Sequence, residues 1–81
     1  DHAVERANDS VYGLGAAIFG SDDDEIRRVA DQPDCGMVFV NSAEDSEPDL
    51  PFGGMKRSGF GRELSHLAID EFANLKLIRL P

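Results

Sequence analysis

The apolar positions of this chain change period along its length, and each period predicts an element. Ala3, Val4 and Ala7 recur at helical spacing, so Asp1–Asn8 reads as the end of a helix. Asn8-Asp9-Ser10 breaks it, and Tyr12-Gly13-Leu14-Gly15 predicts a turn. Ala16-Ala17-Ile18-Phe19 is an unbroken apolar run, the pattern of a strand buried on both faces of a parallel sheet. Gly20 ends that run. Ser21 then predicts a helix cap, with Asp24 three residues on as its capping-box partner. The acids that follow suit the positive end of the helix dipole. Ile26, Val29 and Ala30 make the apolar stripe, with Arg27 and Arg28 outside it, and Pro33 and Gly36 stop the helix. Met37-Val38-Phe39-Val40 is a second apolar strand. Two such strands joined by a helix make a right-handed βαβ unit, which sets the fold class as α/β.

The second half is patterned differently. Asn41 to Leu50 is polar and acidic, and it leaves the carboxyl end of the second strand, where open α/β sheets place their ligands. Pro51-Phe52-Gly53-Gly54-Met55-Lys56-Arg57-Ser58-Gly59-Phe60-Gly61-Arg62-Glu63 shows neither period. Its glycines belong where backbone approaches backbone or turns sharply, so the run reads as a shaped loop. Leu64, Leu67, Ala68, Phe72 and Leu75 then predict a helix over Glu63–Asn74. Lys76-Leu77-Ile78-Arg79-Leu80 predicts a closing strand. These strands do not close a core by themselves; they need sheet neighbours from outside the chain.

Length and charge narrow the picture. Eighty-one residues make one small domain at most. Sixteen acids against eight bases give a net charge of −8, which argues against nucleic acid or an anionic membrane as partner. The excess of acids fits either a halophilic source or an ordinary acidic surface. Cys35 is the single cysteine, so no internal disulfide forms, and a reducing cytoplasm is the expected setting. No apolar run reaches transmembrane length and no signal peptide is visible. The chain starts at Asp1 rather than Met, as a processed, excised or truncated product would.

Most candidate chemistry has a plainer reading. Cys35 lies between a helix end and a strand with no neighbouring base, so it reads as structural rather than nucleophilic. His2 and His66 stand at no zinc-ligand spacing from it. Gly53-Gly54 and Gly59-x-Gly61 lack the strand and helix that frame a dinucleotide fingerprint, which favours packing and turning over phosphate binding. The Asp22–Glu25 cluster lacks a calcium loop's glycine and spacing. Glu44, Asp45, Glu47 and Asp49 read as a solvated loop.

Four stretches together resemble the C-terminal part of the aldehyde dehydrogenases. They are Ala7-Asn8-Asp9-Ser10-Val11-Tyr12-Gly13-Leu14-Gly15-Ala16-Ala17-Ile18-Phe19, Gly36-Met37-Val38-Phe39-Val40-Asn41, the Pro51–Glu63 run, and Glu71-Phe72 through Leu80. The resemblance covers nearly the whole chain. Met-Val-Phe-Val-Asn and Lys-Arg-Ser-Gly-Phe-Gly-Arg-Glu-Leu look most similar to the succinate-semialdehyde branch. The resemblance implies a βαβ portion of the catalytic domain over residues 1–74 and an oligomerisation strand over 75–81. It implies NAD or NADP as cofactor, an aldehyde as substrate and a homo-oligomer as assembly. In that chemistry a cysteine thiolate attacks the aldehyde, hydride passes to the nicotinamide, and a glutamate-activated water releases the acid. The family's nucleophile, general base and nucleotide-binding domain all fall upstream of Asp1, and Cys35 does not match the nucleophile. The chain is therefore expected to be inactive alone.

Some functional positions carry over by resemblance. Phe52 matches an aromatic residue lining the aldehyde tunnel, and Asn41–Leu50 the segment at its mouth. Ser46 falls where the succinate-semialdehyde branch has a substrate-contacting serine, whose hydroxyl suits a distal carboxylate. Glu63 matches a glutamate assigned to a proton relay in the betaine-aldehyde branch; the plainer reading is an ion pair with Arg62 or an acid at a helix start. Lys56 and Gly59 match positions near a structural potassium ion. The rival to a dehydrogenase segment is a stand-alone acidic interaction module that dimerises or binds a full-length homologue.

Overall fold

The first helix is short because its sequence supports little more. The computed structural model describes residues 1–81 and places α1 at His2–Asn8, with no buried residue. Seven residues are marginal as an isolated helix. Asn8 ties the end of α1 down: its Nδ2 donates to the Gln32 carbonyl at 3.0 Å and its Oδ1 accepts from the Asp34 amide at 2.7 Å.

The βαβ unit forms as the apolar pattern predicts. β2 (Gly15–Ile18) and β3 (Met37–Val40) pair in parallel, from Gly15 opposite Met37 to Ile18 opposite Val40. The helix between them, α2 (Asp23–Ala30), buries Ile26 to 8% exposure, and Met37 of β3 is 9% exposed. The cap differs from the expectation. Asp22, not Ser21, is the N-cap, and its carboxylate accepts from the amides of Asp24 and Glu25 at 3.0 and 3.2 Å. A carboxylate at this place answers two orphan N–H groups and the helix dipole together. Asn41 ends β3 in the left-handed region with φ 54°, while its Oδ1 accepts from the Gly20 amide at 2.9 Å.

Three other expectations are corrected. Tyr12–Gly13 is not only a turn but a short strand, β1, pairing antiparallel with β4 (Met55–Lys56). The helix expected over Glu63–Asn74 shrinks to α3, Leu67–Glu71. Leu64 and Ser65 adopt φ 59° and 55°, and a left-handed pair cannot open a right-handed helix. Residues 76–80 form no strand. A strand exists only through its ladder, and the chain offers these residues no partner; Leu75 and Leu77 are both 91% exposed.

What joins the pieces is close backbone contact. A methyl group on Gly54 would lie 2.6 Å from the Gly13 carbonyl oxygen and 2.8 Å from Leu14 Cα. One on Gly13 would lie 2.5 Å from the Asp34 carbonyl, and one on Gly36 would overlap the carbonyl of Gly53. The end of β1 with Leu14, the loop before β3 and the Gly53-Gly54 pair therefore pass with no room for a side chain between them. The glycines expected to pack and turn do both, since Gly59 and Gly61 hold φ 113° and 81°.

The core is thin. Only four of 81 residues are buried. The 8.8 kDa chain exposes 6738 Å², where a compact monomer of that mass exposes roughly 4,800 Å². Its radius of gyration is 16.3 Å, against roughly 12 Å for a compact chain of this length. No helix is long and apolar enough to cross a membrane.

The glycine contacts give a test. Gly54→Ala should cost about 2 kcal/mol or more, because the methyl group meets backbone that cannot turn away. Gly59→Ala, with open space around it and only the positive φ against it, should cost about 1 kcal/mol. Urea unfolding of the two variants checks the order; equal losses would mean that the backbone contact is not what excludes a side chain at Gly54.

Candidate functional site

The site is built around Phe52, and its place is fixed by the backbone. Phe52 and Glu63 exchange both main-chain hydrogen bonds, at 2.8 and 2.7 Å, in an isolated antiparallel bridge. The shaped run thus folds back on itself and presents both side chains at one end. Its closed end is β4 and the turn after it, where the amides of Ser58 and Gly59 donate to the carbonyls of Met55 and Lys56. Ser58 Oγ accepts from the Gly13 amide at 3.0 Å, fastening that turn to β1.

Three of the residues singled out from the sequence meet here. Ser46, Phe52 and Glu63 line one open cleft of about 480 Å³ together with Glu44, Asp45 and Leu64. Ser46 and Phe52 also line a neighbouring concavity over β3, with Val38 and Leu50 in its wall. The cleft has an aromatic wall, one neutral hydroxyl and three carboxyl-bearing side chains. Ser46 is carried on a polar loop, and its amide donates to Asp45 Oδ1 at 2.8 Å. Ser65 donates its amide to the Pro48 carbonyl at 2.9 Å, which ties the far end of that loop to the segment after Glu63.

Glu63 departs from its plainer reading. It forms no ion pair with Arg62 and does not start a helix, since α3 begins four residues later. Arg62 turns the other way. Its Nη1 donates to the carbonyls of Gly54 and Gly61 at 2.9 and 2.7 Å, and its amide donates to Glu71 Oε1 at 3.3 Å. Nothing in the sequence pattern marks Arg62 or Ser58, because their partners are main-chain groups that composition does not reveal.

Lys56 and Gly59 lie away from this cleft. The Lys56 ammonium donates to the carbonyls of Asn8 and Ser10 at 3.2 and 3.3 Å and stands 3.8 Å from Asp34 Oδ2. A cation at the end of α1 suits the negative end of the dipole. The carbonyl of Lys56 is itself taken by the Gly59 amide. Cys35 is half-buried and free, and its thiol donates to the Met37 carbonyl at 3.1 Å.

The sequence model of the aldehyde dehydrogenase family matches residues 1–78. The chain is 58% identical over 79 residues to a Deinococcus radiodurans protein named succinate-semialdehyde dehydrogenase (NADP(+)), covering 98% of this chain and 17% of that one. It is 47% identical over 78 residues to the succinate semialdehyde dehydrogenase (NAD(P)+) of Escherichia coli K12, covering 96% of this chain and 17% of that one. In three dimensions it superposes on the succinic semialdehyde dehydrogenase of Streptococcus pyogenes, solved with NADP+, with a TM-score of 0.91. That match has 51% identity and covers 99% of this chain and 18% of the other. The chain thus spans about a sixth of the length of the relatives it matches.

The Lys56 contacts make a second prediction. Lys56→Met should cost about 1 kcal/mol, since it removes the partly exposed ammonium's bonds to the Asn8 and Ser10 carbonyls where α1 ends. Hydrogen exchange should show the loss as faster amide exchange across α1, with β2 and β3 unchanged. Unchanged exchange in α1 would remove the capping role.

Proposed function

Because the chain belongs to the aldehyde dehydrogenase family, we propose that it forms the C-terminal part of an NAD(P)-dependent enzyme oxidising succinate semialdehyde to succinate. The observation that carries this reading is the meeting of Ser46, Phe52 and Glu63 in one cleft. The names of its relatives support the substrate. NAD(P), held by the remainder of the enzyme, supplies the hydride acceptor. The nucleophilic cysteine and the general base also belong to that remainder.

Within this reading each residue has a local task. Phe52 forms an apolar wall that keeps water off the reacting end of the aldehyde. Ser46 donates its hydroxyl to the distal carboxylate, and Glu63 stands at the cleft's edge as the proton-relay position. Glu44 and Asp45 share the cleft with an anionic substrate and oppose it by roughly 0.5 kcal/mol each at water-like dielectric. Residues 75–81, apolar and unpaired, add to the sheet of a second subunit in a homo-oligomer. The free thiol of Cys35 suits a reducing, cytoplasmic setting.

The full-length protein and the segment give separate tests. Ser46→Ala should raise KM for succinate semialdehyde about fivefold to tenfold, the worth of one hydrogen bond to a charged group, and leave hexanal kinetics unchanged. Unchanged kinetics on both aldehydes would sink the serine's role. Raising salt from about 10 to about 200 mM should lower KM for the anionic substrate alone, because screening relieves the two acids. The isolated 81-residue chain should form no NADH from any aldehyde, and the intact gene product carrying Ser58–Arg62 should weigh several times 8.8 kDa. Turnover by the short chain, or a natural product of its mass, would favour the stand-alone module instead.

A further inference from the structure

We infer that Arg62 is a positioning residue that sets the aldehyde selectivity of the enzyme by holding Phe52 in place through the Gly53-Gly54 backbone. The inference rests on the dehydrogenase reading above and adds to it a residue that does not line the cleft of Ser46.

The geometry starts from a weakness. Phe52 is followed by two glycines, the dipeptide with the greatest backbone freedom. Close backbone contact with Gly13 and Leu14 holds Gly54 from one side, and the ring keeps its place only if the rest of the stem is held too. The bridge to Glu63 holds Phe52 on its own main-chain groups. Beyond it, one guanidinium nitrogen spans the loop, bonding the carbonyl of Gly54, two residues after Phe52, and that of Gly61, two residues before Glu63. Arg62 thereby closes the ring of chain that begins and ends at the bridge. Its stem also packs on the loop, since a methyl group on Gly53 would lie 2.8 Å from Arg62 Cδ. The Glu71 carboxylate completes the arrangement: it accepts from the Arg62 amide and lies against Gly61, where a methyl group would meet Oε2 at 2.7 Å. Both bonds of the guanidinium go to main chain, so Arg62 shapes the loop. A hydrogen bond from a charged donor is about twice as strong as a neutral one, and a small displacement of a positioning wall is enough to change rates.

The test is a double-mutant cycle between Arg62 and Phe52 in the full-length enzyme. KM and kcat are measured for propanal, hexanal, benzaldehyde and succinate semialdehyde. Arg62→Ala should raise aldehyde KM about tenfold with the bulkier aldehydes hit hardest, and change kcat and coenzyme KM by less than about twofold. Arg62→Lys, which keeps the charge but loses the planar fork, should recover to about a threefold loss. In a Phe52→Ala background the Arg62 changes should have almost no further effect. Losses that are equal in both backgrounds, or that fall on kcat or coenzyme KM, would overturn the inference while leaving the dehydrogenase reading intact. Turnover of none of the four aldehydes by the wild-type enzyme would remove both. Should Arg62→Ala fail to fold, Arg62→Lys carries the same cycle, and equal losses in both backgrounds overturn the inference there too.

Discussion

The structure depends on backbone that touches backbone. Gly13, Gly36 and Gly54 bring three segments to distances at which no side chain fits. Two of these segments lead into the parallel strands, and the third carries Phe52. The contact therefore couples the βαβ unit to the site without a hydrophobic core between them. This matters because the core is almost absent: Ile26 and Met37 are the only buried apolar residues. Apolar burial is non-directional and would tolerate a slide of one loop over another. Overlap of a carbonyl with a Cβ would not.

Polar groups complete what burial cannot. Loops carry unpaired main-chain groups, and each one left dry is costly. Here side chains answer them at the points where segments meet. Asn8 bridges the end of α1 to the loop before β3, Lys56 bonds the Asn8 and Ser10 carbonyls where α1 ends, Ser58 holds β1, and Arg62 holds the Gly54 and Gly61 carbonyls. All four work on main chain, which explains how a segment with so few buried side chains keeps a defined shape. The excess exposed surface points the same way. The order of this chain is local, and its C-terminal tail is exposed.

The legible parts of the fold are those whose signal is local. β3 matches its apolar run to the residue, and β2 and α2 nearly so, because apolar runs and a stripe with capping acids carry their own evidence. The cap falls one residue from its expected place because Ser21 and Asp22 are both good caps, and only backbone geometry chooses between them. The last helix is shorter than its stripe because Leu64 fits the helical spacing while its φ of 59° forbids the helix. The segment at 76–80 has a strand's sequence and no partner, which periodicity cannot register. In the site, Phe52, Ser46 and Glu63 are legible through the resemblance to a family. Arg62 and Ser58 are not, since their role is written in carbonyl and amide positions.

Phe52 and Ser46 face the same cleft from supports of different stiffness, and that difference assigns their tasks. Phe52 sits in a two-bond bridge, next to glycines locked against neighbouring backbone. Ser46 rides on a polar loop and is held by one bond from its amide to the adjacent Asp45. A rigid apolar wall discriminates by shape, because a substrate that does not fit must move the backbone contact on which the fold depends. A hydroxyl on an adaptable loop discriminates by chemistry, because it can follow an acceptor over some distance at small cost. The apolar wall thus belongs to the part of the chain that is held by backbone contact. The hydroxyl belongs to the loop, whose sequence can change without disturbing the glycine contact.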